Sequence, residues 1–307
     1  MSVISLVIPV FNEEKVLDIL YKRICDIAYK REEAFEVIFI NDGSSDKSLE
    51  KLLDMHKLDA RVKIIDLSRN FGHQNALSAG IDFATGDAVI LMDADLEDPP
   101  YTIIDFLEYW KKGYDVVYAI RKKRKVGIIR KIFFSLYHKI NTMISEIPML
   151  DATGIFALMD KKVVEMVKMI PEKNRYIPGL RTWVGFKQIG IEVERGERYD
   201  KTPRVSILKL IKLAFDSYIS FSKIPLKIAS FFGIFFSFLS FIGIFIIIFL
   251  KLTIGFLIRG WASIIVLILF AAGIQLITIG IIGEYIGRIL DETKNRPVYI
   301  VKQVIGF

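Results

Sequence analysis

The sequence predicts an α/β chain, with a mostly parallel, doubly wound sheet followed by two C-terminal membrane-spanning helices. Three observations carry that expectation. Short apolar runs over 3–10, 35–40, 62–67 and 88–92 alternate with segments whose apolar residues recur at helical spacing, as parallel strands and crossover helices do. Each run stops at a polar turn. Near the C-terminus, the stretches 228–250 and 261–283 each hold 23 residues without a charge, more than the roughly 20 needed to cross a bilayer core.

The first strand ends at Pro9 and opens on Phe11-Asn12-Glu13-Glu14. A helix over 14–29 follows, with Val16, Leu17, Leu20, Ile24 and Ile27 on one face and Asn12 or Glu13 as its cap. The second strand runs into Asn41-Asp42-Gly43-Ser44-Ser45-Asp46, a strand-to-helix corner in which Ser45 or Asp46 can cap the helix that ends near Leu58. The third leads through Ser68-Arg69-Asn70-Phe71-Gly72 to a helix over 74–84. The fourth, Ala88-Val89-Ile90-Leu91-Met92, runs straight into Asp93-Ala94-Asp95, and Pro99-Pro100 stops the chain soon after. A further strand is expected over 114–119, with the basic run Arg121-Lys122-Lys123-Arg124-Lys125 behind it.

A doubly wound sheet collects ligands outside the carboxyl ends of its strands, where Asp93 and Asp95 fall. Two carboxylates that close repel, and a hard divalent cation bridging them to a diphosphate removes the cost. No strand is followed by Gly-x-Gly-x-x-Gly or by a Walker-type loop, so a dinucleotide oxidoreductase or an ATPase is unsupported. The polar groups at the strand ends are acids instead, able to accept from ribose hydroxyls and base N–H groups.

The charge balance of 42 Lys+Arg against 35 Asp+Glu gives +7, and much of the excess lies between Arg121 and Lys227. Such a balance permits nucleic acid, an anionic membrane or a phosphorylated substrate. The single cysteine, Cys25, can form no internal disulfide, which fits a reducing compartment. The chain opens on a strand without the basic segment and apolar core of a signal peptide. Before the first span, 205–226 sets Lys209, Lys212 and Lys223 among apolar residues, the pattern of a helix lying in the membrane interface. Basic residues outside the spans outnumber those in the joining loop, which predicts that both termini are cytoplasmic.

Val7-Ile8-Pro9-Val10-Phe11-Asn12-Glu13, Ile40-Asn41-Asp42-Gly43-Ser44-Ser45-Asp46, Asn70-Phe71-Gly72-His73-Gln74 and Asp93-Ala94-Asp95-Leu96-Glu97-Asp98-Pro99-Pro100 together resemble family 2 glycosyltransferases of the GT-A fold. Within that family the chain is similar to the polyprenyl-phosphate glycosyltransferases, the GtrB-like and dolichol-phosphate mannose synthase-like enzymes. The resemblance implies a GT-A domain over 1–204, an interfacial region over 205–227, two transmembrane helices over 228–287 and a cytoplasmic tail over 288–307. It implies that Pro9, Phe11, Glu13, Asp42 and Asp93 contact the nucleotide. Asp93 and Asp95, with Glu97, would hold magnesium or manganese, although Gln is usual at the Glu97 position.

By the same resemblance, Arg121, Arg124 and Arg130 meet the acceptor phosphate, and Asp151 lines the acceptor side of the site. There the family's Asp-Phe-Arg is Ile155-Phe156-Ala157, which removes an acid and an arginine. A polyprenyl phosphate is already an oxyanion, so Asp151 is expected to position groups rather than act as an obligatory base. The implied reaction is inverting transfer of one sugar, UDP-glucose being the favoured donor, to undecaprenyl phosphate at the inner membrane. The expected partners are a nucleotide sugar, a polyprenyl phosphate, the bilayer and a second copy of the chain, with no nucleic acid. The alternatives are another nucleotide sugar, a lipid or glycan alcohol as acceptor, or a non-catalytic nucleotide-binding scaffold.

Overall fold

The computed structural model describes residues 2–28, 33–121, 153–173, 175–194 and 261–307, with part of 231–253. The chain divides into two compact units: Met1–Ile207 together with Pro297–Phe307, and Leu208–Arg296.

The first unit begins with β1 (Val3–Val10), α1 (Leu17–Ala28), β2 (Ala34–Asn41), α2 (Ser48–Leu58), β3 (Val62–Leu67), α3 (His73–Phe83) and β4 (Ala88–Leu91). It continues through α4 (Thr102–Lys111), β5 (Val116–Arg121), β6 (Thr153–Asp160), α5 (Lys161–Met169), α6 (Ile177–Trp183) and β7 (Gln188–Val193). The strands form one eight-stranded sheet in the order β7-β5-β6-β4-β1-β2-β3-β8, where β8 is Val301–Ile305. Side chains alternate between its faces. Ile4, Leu6 and Ile8 of β1 pack with Phe39, Ile64 and Ile90 under α1, α2 and α4. Val7, Ile38, Ile65, Val89 and Leu91 pack under α3, α5 and α6 on the other face. Burial on both sides accounts for the predominantly apolar runs.

The sheet is mixed and mostly parallel, as the strand–helix alternation suggested. β6 lies antiparallel between β4 and β5, and β8 lies antiparallel against β3. Phe156 and Leu158 of β6 enter one core while Ala157 and Met159 enter the other, so β6 is as apolar as any parallel strand. Its direction is set by its neighbours, which local sequence does not encode. The N-cap of α2 is Lys47 rather than Ser45 or Asp46, and its side chain makes no capping bond; the Asp46 carboxylate, one residue earlier, accepts the Ser48 N–H at 3.0 Å and the Glu14 N–H at 3.1 Å.

Asp59 closes α2 and ties the unit together electrostatically. It accepts from Arg61 Nη2 at 2.7 Å and from the Tyr21 hydroxyl at 2.7 Å. The hydrogen bonds from Arg61 hold its carboxyl down to about 2, against the opposing effect of partial burial. A carboxyl depressed on folding adds stability that is complete above the unfolded value of about 4 and is lost as pH falls towards the folded one. Asp59→Asn should therefore remove a component of acid unfolding between about pH 4 and about pH 2. Superimposable acid-unfolding curves for the two proteins, followed by tryptophan fluorescence, would contradict this.

In the second unit, α7 spans Trp261–Thr293, 33 residues. Its part Phe270–Thr293, 24 residues, is long and apolar enough to cross a membrane, with an 18-residue window of mean hydropathy 1.5. The helix runs on past the uncharged stretch 261–283, through Glu284 and Arg288, an i,i+4 pair at 3.6 Å. Residues 233–243 form a shorter apolar helix within the other uncharged stretch. The expected interfacial region, 205–227, lies outside the described residues.

Candidate active site

The carboxyl ends of β1, β2, β3 and β4 share one edge of the sheet, because these four strands are mutually parallel. The loops leaving that edge are stitched to one another. Asn12, at φ 56°, donates its N–H to Ser44 Oγ at 3.1 Å and accepts from the Ser45 N–H at 2.8 Å. The Glu13 N–H bonds Ser48 Oγ at 2.9 Å. Gly43 has φ +66°, and a Cβ there would lie 2.6 Å from the Arg69 and Asn70 backbone, so the corner closes only with glycine.

Asp42 sits inside this corner, 3% exposed. Its two oxygens accept the Phe71 N–H at 2.7 Å and the Gly72 N–H at 3.0 Å. Burial pushes its carboxyl above the ordinary aspartate value, and the two amides offset only part of that. Across the cleft, Asp93 follows β4 and pairs with His73 Nε2 at 2.8 Å. Asp95 stands two residues on and accepts the Glu97 N–H at 3.0 Å, with Leu96 between them at φ 62°.

These groups enclose a cavity of about 370 Å³. Pro9, Phe11 and Glu13 line it from β1, Asp42 from β2, and Asp93 and Asp95 from β4. Six residues singled out in the sequence thus converge. Asn70, Gly72 and His73 complete the wall and were not assigned roles, although the Asn70–Gln74 motif after β3 pointed to that corner. Partial desolvation lowers the His73 imidazole, but its bond to Asp93 and the charges of Asp93, Asp42 and Asp95 raise it overall. The cavity is therefore an acidic cleft with a histidine on its rim whose protonated form is favoured by the neighbouring acids.

Glu97 is half-buried beside this cavity and is not among the residues that line it. Arg121 ends β5, opposite Val193 of β7. Arg124, Arg130 and Asp151 lie outside the described residues. Among the described residues no three His, Cys, Asp or Glu side chains group into a metal site. Asp93 and Asp95 offer two hard oxygen ligands at an open cleft. That donor set fits a magnesium-like ion, which keeps several waters and takes other ligands from substrate phosphates.

Arg181 of α6 is 1% exposed, with its guanidinium carbon 5.1 Å from the centre of the Tyr118 ring. Among the described residues its Nε and Nη2 have no hydrogen-bond partner, and burial takes its pKa down to about 10. A buried cation with hydrogen bonds left unmade costs stability. Arg181→Met, which keeps the stem, should raise the melting temperature by a few degrees, from roughly 1–3 kcal/mol of relieved desolvation. A lower melting temperature would show that the guanidinium is compensated.

The family model described as "Glycosyl transferase family 2" matches residues 5–167. An uncharacterised glycosyltransferase of Bacillus subtilis, YkcC, is 45% identical over 303 residues, covering 98% of this chain and 94% of that protein. A second uncharacterised glycosyltransferase, sll0501 of Synechocystis, is 41% identical over 304 residues, 99% of this chain and 96% of that one. The bactoprenol glucosyl transferase of Shigella phage SfII is 40% identical over 302 residues, 98% of this chain and 97% of that one.

Proposed function

The chain belongs to glycosyl transferase family 2 and is a polyprenyl-phosphate glycosyltransferase, and on that premise we propose that it transfers glucose from UDP-glucose to undecaprenyl phosphate. The observation that carries the reading is the convergence of Asp42, Asp93 and Asp95 on one cavity at the carboxyl edge of the sheet. The phage relative's name, bactoprenol glucosyl transferase, supports the sugar and the lipid class.

In this reading Asp42 and Glu13 accept from the nucleoside while Pro9 and Phe11 flank the base. Asp93 and Asp95 would hold magnesium or manganese, with Glu97 an outer acid of that turn. The bound cation supplies Lewis-acid stabilisation of the departing nucleoside diphosphate. His73, bonded to Asp93 through Nε2, holds that carboxylate in place. Arg121, Arg124 and Arg130 receive the acceptor phosphate and offset the repulsion between two anions. The acceptor oxygen is already ionised, so Asp151 positions rather than deprotonates, and attack in one step inverts the anomeric carbon.

We further read 228–250 and α7 as two spans, with 205–227 in the interface and the catalytic unit and both termini on the cytoplasmic side. At 1.5 Å per residue α7 is about 50 Å long, so its charged end from Glu284 onward can extend beyond a core of about 30 Å. The protein is proposed to act as a homo-oligomer.

The test is a panel of nucleotide sugars incubated with undecaprenyl phosphate, with magnesium or manganese and with chelator. Label from UDP-glucose should enter the organic phase and be released by mild acid, and chelator should stop it. Transfer from a different donor would reassign the sugar. Product stable to mild acid would reassign the acceptor to an alcohol.

A further inference from the structure

The segment beyond α7 returns to the sheet. β8 pairs antiparallel with β3, setting Val304 opposite Ile65 and Gln303 opposite Asp66. Tyr299, just before it, donates its hydroxyl to Asp82 of α3 at 2.8 Å, and the Phe307 ring packs edge-on against Phe83 at 5.3 Å. Both contacts fall on the last turn of the helix whose first residue is His73.

Two routes run from this segment into the cavity wall. The Ile300 carbonyl accepts the Ser68 N–H at 2.9 Å, at the start of the loop that presents the Phe71 and Gly72 amides to Asp42. Lys302 Nζ lies 3.5 Å from Asp66 Oδ2, on a carboxylate that is 5% exposed. The other Asp66 oxygen accepts from Asn41 Nδ2 at 2.7 Å. Asn41 Oδ1 in turn accepts the Ser44 N–H at 3.2 Å, and Ser44 Oγ holds the Asn12 N–H. Lys302 is thus the cationic end of a relay whose far end is the pair of loops carrying Glu13 and Asp42. A buried carboxylate deprived of its cation costs more than a surface pair does, and the structure responds by moving whatever else that carboxylate holds.

We infer that Pro297–Phe307 is a positioning element of the nucleotide pocket: β8 fixes the β3–α3 corner, and Lys302 fixes the Asn41–Ser44 turn through Asp66. The donor site is then complete only once the chain has passed α7 and its last residues have joined the sheet. This rests on the cavity being the nucleotide-sugar site proposed above.

The test uses full-length variants. Lys302 is exposed on an edge strand, so Lys302→Met removes the charge and keeps the stem without disturbing the ladder. It should raise the donor KM and the nucleotide Kd roughly three- to tenfold, with the acceptor KM and saturated kcat unchanged, and Lys302→Arg should restore both. Tyr299→Phe should move the donor KM in the same direction by a smaller factor. A chain ending at Arg296 should lose nucleotide affinity more than tenfold, with recovery on adding a synthetic 297–307 peptide. If that truncation does not fold, the Lys302 pair decides alone. A wild-type donor KM in Lys302→Met, or a fall in melting temperature with no change in donor KM, would reduce the tail to a stabilising strand and overturn the inference. Failure of the wild-type chain to bind any nucleotide sugar would overturn the functional reading first, and this inference with it.

Discussion

Asp93→Ala is expected to lower transfer by at least about a thousandfold, equivalent to about 4 kcal/mol of transition-state stabilisation. Asp93 stands immediately after Met92, whose N–H still bonds the Val7 carbonyl at 3.1 Å, so the sheet itself fixes where the carboxylate projects. It lines the cavity with Asp95 and is paired with His73. Removing it leaves one acid to hold a divalent ion, and the affinity for nucleotide sugar should lose its dependence on magnesium or manganese. The fold should survive, because the side chain is at the open rim while Leu91 and Met92 beneath it are fully buried. Relief of repulsion among Asp42, Asp93 and Asp95 can even raise the melting temperature, as often happens when an acid is removed from an active site. Asp95→Ala should behave alike. Transfer within tenfold of wild type, or donor affinity still dependent on metal in the double variant, would remove the cation from the reaction.

The same region shows why so much of the site could be read in advance. A strand buried on both faces admits a charge only where a partner meets it, so the first polar residues after an apolar run mark the carboxyl edge. Glu13, Asp42, Asp93 and Asp95 are legible for that reason, and Pro9 and Phe11 only through the family resemblance. His73 was not, since a lone histidine opening a helix has no distinguishing pattern, and its place opposite Asp93 depends on how β3 and β4 are ordered in the sheet. β8 was hidden for a similar reason. Val301-Lys302-Gln303-Val304-Ile305 lacks the alternation or apolar run of a core strand, because it is an edge strand with three exposed residues in succession. The two acids of β3 and β2, Asp66 and Glu36, break otherwise apolar strands. Each is buried with a lysine partner, Lys302 at 3.5 Å and Lys63 at 2.6 Å, and such pairing exists only in three dimensions.

Asp42→Asn should weaken donor binding about a hundredfold while leaving saturated turnover within a few-fold of wild type. The substitution is nearly isosteric, so the effect comes from hydrogen-bond polarity. Both carboxylate oxygens accept backbone amides, from Phe71 and from Gly72, and both belong to a side chain with almost no exposure. An asparagine can answer one amide with its carbonyl, but its NH₂ then meets the other N–H, donor against donor. Part of the cost appears as about 1–3 kcal/mol of lost stability, and the rest as displacement of the Phe71–Gly72 loop and loss of the acceptor that faces the nucleoside. Hydrogen exchange at the Phe71 and Gly72 amides should accelerate in the variant. Burial raises the Asp42 carboxyl, so wild-type donor affinity should decline with falling pH sooner than an ordinary aspartate, near 3.9, would dictate. The asparagine variant, with nothing to protonate there, should lose that part of the pH dependence. An unchanged donor Kd, with the effect confined to the acceptor KM, would mean that Asp42 shapes the corner without meeting the nucleoside.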